Sequence, residues 1–408
     1  MSLEGNGYRS DFSAFGGHPV GDDFPGIAAL RDLGITDAEQ VAAIMALPDV
    51  RAQLDDVLGA AIGVDALADA AATMLPQQTF SAFAAAPAMG AFALGSLEPT
   101  AEVAAEIASL AVAPPAALMG FAAAALPPSV SHAKSMPPVR QQGPRGTCVA
   151  HALSAAHEHW RLASGETVEF SEQFLYHQIK LIDGAPGACG TWQVKGAEVL
   201  ANIGAAREAV WPYNPNPPCN NNGVQPAGAL GDAANYRIAP VVLGPRDVFA
   251  IKSALAAGSC VGFSVPVYNS WYQSTYATQT GRLNMRIGNE AGAGGHAMCL
   301  IGYQDDADQP GGGFFILRNS WGTAWGSQCP YGAGNGTIPY AYIANDCWEA
   351  VAMPPPRIRR RAKRRLLDLR RPWPFGAESG AGEEGDDVAE RRPTIVIDTQ
   401  GQFDIVIK

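Results

Sequence analysis

Apolar and polar positions change period several times along the chain. From Ile27 to about Ala125, apolar residues recur at helical spacing. Thr36-Asp37-Ala38-Glu39 has the form of an N-terminal capping box, and Val41, Ile44, Met45 and Leu47 follow as a stripe on one face. A fainter copy lies at Thr100–Leu110, where Ala101-Glu102, Ile107 and Leu110 align with Ala38-Glu39, Ile44 and Leu47. Internal duplication is one reading of that echo and ordinary helix patterning the other. The spacing predicts helices from near Ile27 and from Thr36, after a Gly- and Asp-rich stretch over 1–25. Residues 1–125 as a whole read as an Ala-rich helical domain.

Two uncharged stretches interrupt this region, Ala70–Leu97 and Ile107–Ser131. Each is long enough to cross a bilayer on length alone. Both are dominated by Ala and Gly, and Pro76, Pro87, Pro114 and Pro115 break them. Buried helices of a soluble domain fit better, with a membrane-docked use left open.

Leu126-Pro127-Pro128 through Pro137-Pro138 reads as an extended linker into a second domain, 126–355. A helix is predicted to open at Cys148 and run through Trp160, burying Ala150, Leu153 and Ala156. Beyond Arg237 the period shortens: Val261–Val267, His296–Tyr303 and Phe314–Arg318 are apolar runs bounded by Gly and Pro, the pattern of strands. Residues 356–408 form a third segment. Arg357–Arg371 carries nine basic residues against one acidic, acidic Gly-rich sequence follows at Glu378–Glu390, and two β-prone runs flank Thr399-Gln400-Gly401-Gln402 as a predicted hairpin.

Composition sharpens this division. The 408 residues carry a net charge of −11, of which residues 1–130 contribute −12, residues 131–355 −2 and residues 356–408 +3. Overall acidity argues against nucleic acid as the main partner. The basic run could instead dock on the acidic N-terminal region. Met1–Gly7 lacks the basic and apolar parts of a secretory signal, so a cytoplasmic location or non-classical export is expected. Of seven cysteines, Cys260 and Cys299 sit in apolar runs and read as buried hydrophobes. Cys189 with Cys219, and Cys329 with Cys347, are loop-located and placed to bridge in an oxidising compartment.

Cys148 is the candidate nucleophile. A thiol is mostly protonated at neutral pH, so a catalytic cysteine needs a neighbour that holds it as thiolate. His296, in Gly294-Gly295-His296-Ala297, supplies an imidazole, and Asn319, in Arg318-Asn319-Ser320-Trp321-Gly322, a carboxamide that can fix its tautomer. Gln142, six positions before the cysteine, can donate its side-chain amide to an oxyanion. Helix dipoles at the start of the Cys148 helix would favour the thiolate further. His151, His157 and His159 lie on the same helix, but His157 and His159 point to different faces, so solvated or capping roles fit better than a metal site. Asp305-Asp306-Ala307-Asp308 lacks the distal Glu of a calcium loop and reads as a hairpin turn.

The order Gln142, Cys148, His296, Asn319 resembles the papain-like cysteine peptidases, in which His and Asn follow the Cys by ~130–150 residues. Ser171-Glu172-Gln173-Phe174-Leu175-Tyr176, Trp211-Pro212-Tyr213 and Asn319-Ser320-Trp321-Gly322-Thr323-Ala324-Trp325-Gly326 are similar to further family segments. The resemblance covers about 126–353. It implies an α+β fold of two lobes, a helical lobe and a β half-barrel, with Cys148 on a helix facing His296 and Asn319 on strands across a cleft. It implies that Gly190 pairs with the substrate backbone, that Trp192 walls the pocket for the residue before the scissile one, and that Trp321 shields the His–Asn hydrogen bond. Small Gly294 and Gly295 leave room for a substrate side chain. Two positions depart from the pattern. Arg145 stands where relatives commonly have a disulfide cysteine, which places a cation near the thiol, and Val149 stands where an aromatic is usual.

The expected function is cysteine endopeptidase, acting on protein or peptide substrates with no metal or organic cofactor. Residues 1–125 are a candidate inhibitory pro-region. Two alternatives remain at this stage: the same triad performing transpeptidation, deamidation or modification of one specific protein, or a catalytically silent scaffold.

Overall fold

A computed structural model describes residues 17–59, 62–84, 92–111 and 126–356, with two short strands at 394–397 and 403–406. Among the described residues the first five helices are α1 (Ile27–Asp32), α2 (Ala38–Met45), α3 (Pro48–Leu58), α4 (Val64–Met74) and α5 (Gln77–Ala84). Pro48 starts α3 at a position that needs no backbone N–H, and Gly59 ends it in a positive-φ conformation. An extended stretch, 92–98, leads to α6 (Ala101–Leu110), whose first turn is capped by the Thr100 side chain. Within the first uncharged stretch, the described residues are the end of α4, α5 after the break at Pro76, and extended chain from 92; residues 85–91 lie outside the described residues. No helix among the described residues is long and apolar enough to cross a membrane.

The predicted capping box at Thr36 does not form. Asp37 is the N-cap but its side chain makes no cap; it turns instead to Tyr276 and Arg282. Glu39 accepts from the backbone and ring of His18 at 2.9 and 2.7 Å. A buried guanidinium is a stronger partner for a carboxylate than a backbone amide, so tertiary contact overrides the local motif.

The remaining helices are α7 (Cys148–Ala163), α8 (Glu172–Ile182), α9 (Gln193–Asn202), α10 (Ala229–Ala233), α11 (Val248–Ala256), α12 (Asn269–Tyr272), α13 (Thr275–Thr280) and α14 (Tyr340–Asp346). The strands are β1 (Ser129–Ser131), β2 (Val241–Leu243), β3 (Val261–Tyr268), β4 (Gly292–Asp305), β5 (Gly313–Arg318), β6 (Asn335–Pro339) and β7 (Glu349–Ala352). They form one antiparallel seven-stranded sheet in the order β2-β7-β3-β4-β5-β6, with β1 added to β4. Helices and an antiparallel sheet make this an α+β fold. The central strands β3 and β5 are buried on both faces, hence their continuous apolar runs.

Two cores flank the sheet. One is shared with α7, α8 and α9 and includes Leu153, Tyr176, Leu200 and Ile301. The other lies on the opposite face and joins Phe263, Val265, Leu317 and Ile338 to Leu30, Val41, Ile44 and Leu67 of the N-terminal helices. Among the described residues, those helices share one hydrophobic core with the sheet.

Residues 360–408 form a second unit, in which β8 (Thr394–Ile397) and β9 (Phe403–Val406) pair antiparallel with Ile395 opposite Ile405. The basic run at 357–371 and the acidic sequence at 378–390 lie outside the described residues.

Several side-chain expectations are corrected. Cys189 and Cys219 are bonded, but Cys329 and Cys347 are free and buried. The Cys347 thiol instead donates to the Glu349 carbonyl at 3.2 Å. The three helix histidines are not solvated. His151 donates from Nδ1 to the Thr147 carbonyl at 3.0 Å, the His157 ring stacks on Phe170, and His159 reaches Ser135. Seating α7 between the sheet and α8 buries every residue from Cys148 to His159 except Ala155, the three histidines included. Asp305–Asp308 does form the turn between β4 and β5, with the Asp308 amide held by the Asp306 carboxylate at 3.1 Å.

Candidate active site

Cys148 is the first residue of α7, and the Thr147 side chain does not cap that helix because it hydrogen-bonds Tyr213 at 2.6 Å. The first amides of the helix are left free to face the sulfur. Sγ accepts from the Ala297 N–H at 3.4 Å, so the thiol lies against the residue that follows His296 on β4. Cys148 and His296 are both fully buried.

His296 Nε2 bonds Asn319 Oδ1 at 2.8 Å. The same oxygen accepts from the Ser320 amide at 2.7 Å, which fixes it as acceptor and makes Nε2 the donor. The lone pair is then on Nδ1, which is buried and without a hydrogen-bond partner. Trp321 stacks on the imidazole with centroids 4.5 Å apart, and Trp325 meets Trp321 edge-on. Water is thereby kept from the His–Asn bond.

Gln142 is held at both ends. Its oxygen accepts from the Ser320 hydroxyl at 2.5 Å, and its Nε2 donates to the carbonyls of Arg145 at 2.8 Å and Ala93 at 3.1 Å. Backbone pairing of Gln142 with Ser320, and of Arg140 with Gly322, brings this loop beside Asn319. The Arg140 side chain bonds Glu158 on α7 and both oxygens of Glu172 on α8, so one residue ties the helices to the Asn319 loop.

The Ala93 carbonyl belongs to a strap, residues 92–98, that crosses the cleft. Phe92 stacks on Trp321 with centroids 4.6 Å apart, and its carbonyl accepts from Tyr272 at 2.6 Å. Gly95 and Ser96 donate to the Gly295 carbonyl at 3.2 and 3.1 Å. Leu97 donates to Thr191 O at 3.0 Å and Thr191 donates back to Gly95 O at 3.1 Å, a parallel bridge centred on Ser96. Trp192 Nε1 donates to Glu98 O at 3.3 Å. A Cβ on Gly190 would lie 2.8 Å from Gly95 O, and one on Gly295 would lie 2.3 Å from Ser96 O.

Gly190, Trp192, Gly294, Gly295 and Trp321 therefore all line one cleft with the four polar residues. The backbone pairing is made by Thr191, one residue beyond Gly190, whose lack of a side chain gives clearance. Sequence reasoning missed Thr191, Tyr272 and the strap itself. Nothing in Phe92–Glu98 marks it as a cleft-binding segment, because it is held mainly through backbone groups that every sequence carries.

Burial sets the charge state of this covered site. It pushes the Cys148 thiol up to about 12, against the amides of Ala297, Gly95, Val149 and Cys148 itself, which pull the other way. It lowers His296 to about 4, although the bond to Asn319 raises it. Under the strap, thiol and imidazole are both neutral at physiological pH. Arg145 does not supply the expected cation beside the sulfur. Its guanidinium bonds Gln173, the carbonyls of Asn214 and Cys219, and Asn222, which anchors the 214–222 loop that the Cys189–Cys219 disulfide also holds. No group of three or more His, Cys, Asp or Glu among the described residues is arranged to hold a metal.

The sequence profile described as papain family cysteine protease matches residues 126–336, half of the chain, and the chain belongs to that family. It is 26% identical over 213 residues to an uncharacterized peptidase C1-like protein of Acanthamoeba polyphaga mimivirus, covering 50% of this chain and 65% of that protein. It is 25% identical over 194 residues to cathepsin J of Mus musculus, covering 46% and 54% respectively. The chain thus spans about half to two-thirds of the length of these curated relatives. Among solved structures, xylellain, a cysteine protease from Xylella fastidiosa, superposes with a TM-score of 0.53 at 28% identity, over 65% of this chain and 97% of that one.

Proposed function

We propose that the chain is a cysteine endopeptidase whose cleft is closed by its own residues 92–98. In the open site, His296 Nδ1 takes the Cys148 proton and the sulfur attacks a peptide carbonyl carbon. The Gln142 side-chain amide and the Cys148 N–H hold the oxyanion, a contribution of ~3–4 kcal/mol for one such donor. The C–N bond breaks as His296 gives its proton to the leaving amine. Water, deprotonated by His296, then attacks the thioester, which releases the acid and returns the thiol. Asn319 holds the tautomer that leaves Nδ1 free toward the sulfur. One observation carries this reading: Gln142 Nε2 already donates to a carbonyl oxygen in the cleft, that of Ala93.

The strap supports inhibition because of its direction. By the family resemblance, a substrate's acyl side belongs at Gly190–Trp192, and its leaving amine belongs at His296 and Trp321. Substrate then runs from Thr191 toward Trp321, whereas the strap runs from Phe92 at Trp321 to Leu97 at Thr191. A reversed peptide turns each amide nitrogen toward the acyl side, away from the imidazole that must protonate it. The strap therefore occupies the cleft without being cut there.

The test is labelling with an epoxide selective for papain-type thiols, followed by mass spectrometry of peptide-library products, on wild type and Cys148→Ala. The reading predicts a Cys148 adduct and hydrolysed peptides once the strap is displaced. No adduct and no cleavage from a strap-displaced chain would refute it. Amine-transfer products in place of acids would reassign the chemistry to transpeptidation.

A further inference from the structure

Residues 17–84 and the 92–98 strap are attached to the rest in two different ways. The strap is held mainly by backbone hydrogen bonds, with Phe92, Leu94 and Leu97 only partly buried against the cores, and α6 beyond it buries Val103 and Ile107. The preceding helices are held by a core and a buried charge. Leu30, Ile44 and Leu67 belong to the same apolar cluster as Phe263 and Val265 of β3. Within that contact Asp37, 3% exposed, pairs with Arg282, 2% exposed. Tyr276 also donates to the Asp37 carboxylate at 2.7 Å, and Arg282 Nη2 donates to Thr36 Oγ1 at 2.5 Å. The backbone continues the seam: the Met285 N–H donates to Leu33 O at 2.9 Å, and the Asn289 N–H to Gln53 Oε1 at 2.7 Å. The segment so braced, 282–291, leads directly into β4 and His296.

A detachable inhibitor leaves behind a surface that water can cover. Loss of residues 17–84 would instead strip the apolar cover from one face of the sheet and take Asp37 away from Arg282. Returning that apolar face to water is unfavourable in proportion to the area exposed. We infer that residues 17–84 are a permanent part of the catalytic body, and that freeing the cleft acts on the 92–98 strap alone. The second half of this statement rests on the inhibitory reading of the strap; the first half does not.

The experiment uses the full chain with recognition sites for a site-specific protease placed within 85–91 and within 112–125. In a Cys148→Ala background, both sites are cut and the products are run on native gel filtration with intact-mass detection. The inference expects the N-terminal piece to co-elute with the 126–408 piece and to separate only in denaturant. An N-terminal piece eluting alone, beside a folded remainder, overturns it. The same cuts with Cys148 present are followed on a fluorogenic peptide. A rise of at least tenfold as the strap piece leaves, with the N-terminal piece still bound, supports both halves. No rise after the strap piece has left refutes the inhibitory reading and spares the docking. Asp37→Leu alone is expected to weaken retention of the cut N-terminal piece at least tenfold, and Asp37→Leu with Arg282→Leu to restore it. Retention of the single variant at wild-type strength would overturn the buried pair as the anchor.

Discussion

Replacing Gly95 by valine puts a side chain where the cleft has no room. A Cβ there would lie 2.2 Å from the Gly146 carbonyl oxygen and 2.3 Å from its carbon. That wall cannot recede, because a Cβ on Gly146 would itself meet Cys189 O at 1.7 Å. The strap must therefore lift. Doing so breaks the bonds from Gly95 N and Ser96 N to Gly295 O, and from Thr191 N to Gly95 O. At ~1 kcal/mol net for each hydrogen bond, the closed state loses about 3 kcal/mol. At about 1.4 kcal/mol per factor of ten, the open population grows about 100-fold. The assay is kcat/KM on a fluorogenic peptide, with intact mass confirming an uncut chain. Gly187→Ala serves as control, since a Cβ at Gly187 meets nothing within 4 Å. A Gly95→Val chain that stays within twofold of wild type, uncut and with an unchanged near-ultraviolet CD spectrum, would refute inhibition by the strap.

Other outcomes follow from the same geometry. In the Gly95→Val background, Gln142→Ala is expected to lower kcat by about 10²–10³ with KM little changed, the loss of one oxyanion donor; a kcat within threefold would remove Gln142 from that role. The ratio of wild-type to Gly95→Val activity is expected to rise as pH falls from about 6.5 toward 4. His296 is held at about 4 under the strap, so its contribution to closure is complete above its ordinary value of 6.5 and is lost on acidification through that window. A flat ratio across it would contradict this linkage. Replacing Cys189 and Cys219 together by serine opens a 30-residue loop and is expected to cost about 3–4 kcal/mol, read by denaturant titration. An unchanged midpoint would show that Arg145 alone anchors the 214–222 loop.

The strands β3, β4 and β5 and the helix at Cys148 were legible because burial on both faces produces continuous apolar runs, and because a long helix shows its buried positions at fixed spacing. The predicted helix end at Trp160 fell one turn short, since α7 continues to Ala163 although its buried positions end at His159. The capping box at Thr36 failed for a different reason. Its carboxylates answered to Arg282 and His18, and those partners lie far away in sequence. The pairing of Cys329 with Cys347 failed because spacing says nothing about where two thiols are delivered, and here both are buried and unbonded.

The chain's own residues were enough to name Gln142, Cys148, His296 and Asn319, because acyl-transfer chemistry restricts which side chains can sit at each position and leaves short, recognisable neighbourhoods around them. They could not say what lies over those groups. Backbone amides and carbonyls are the same in every sequence, so a strap bound through them leaves no trace until the chain is folded. The attachment of residues 17–84 was equally invisible: Asp37 and Arg282 are 245 positions apart, and only the folded contact turns two ordinary charges into a buried pair.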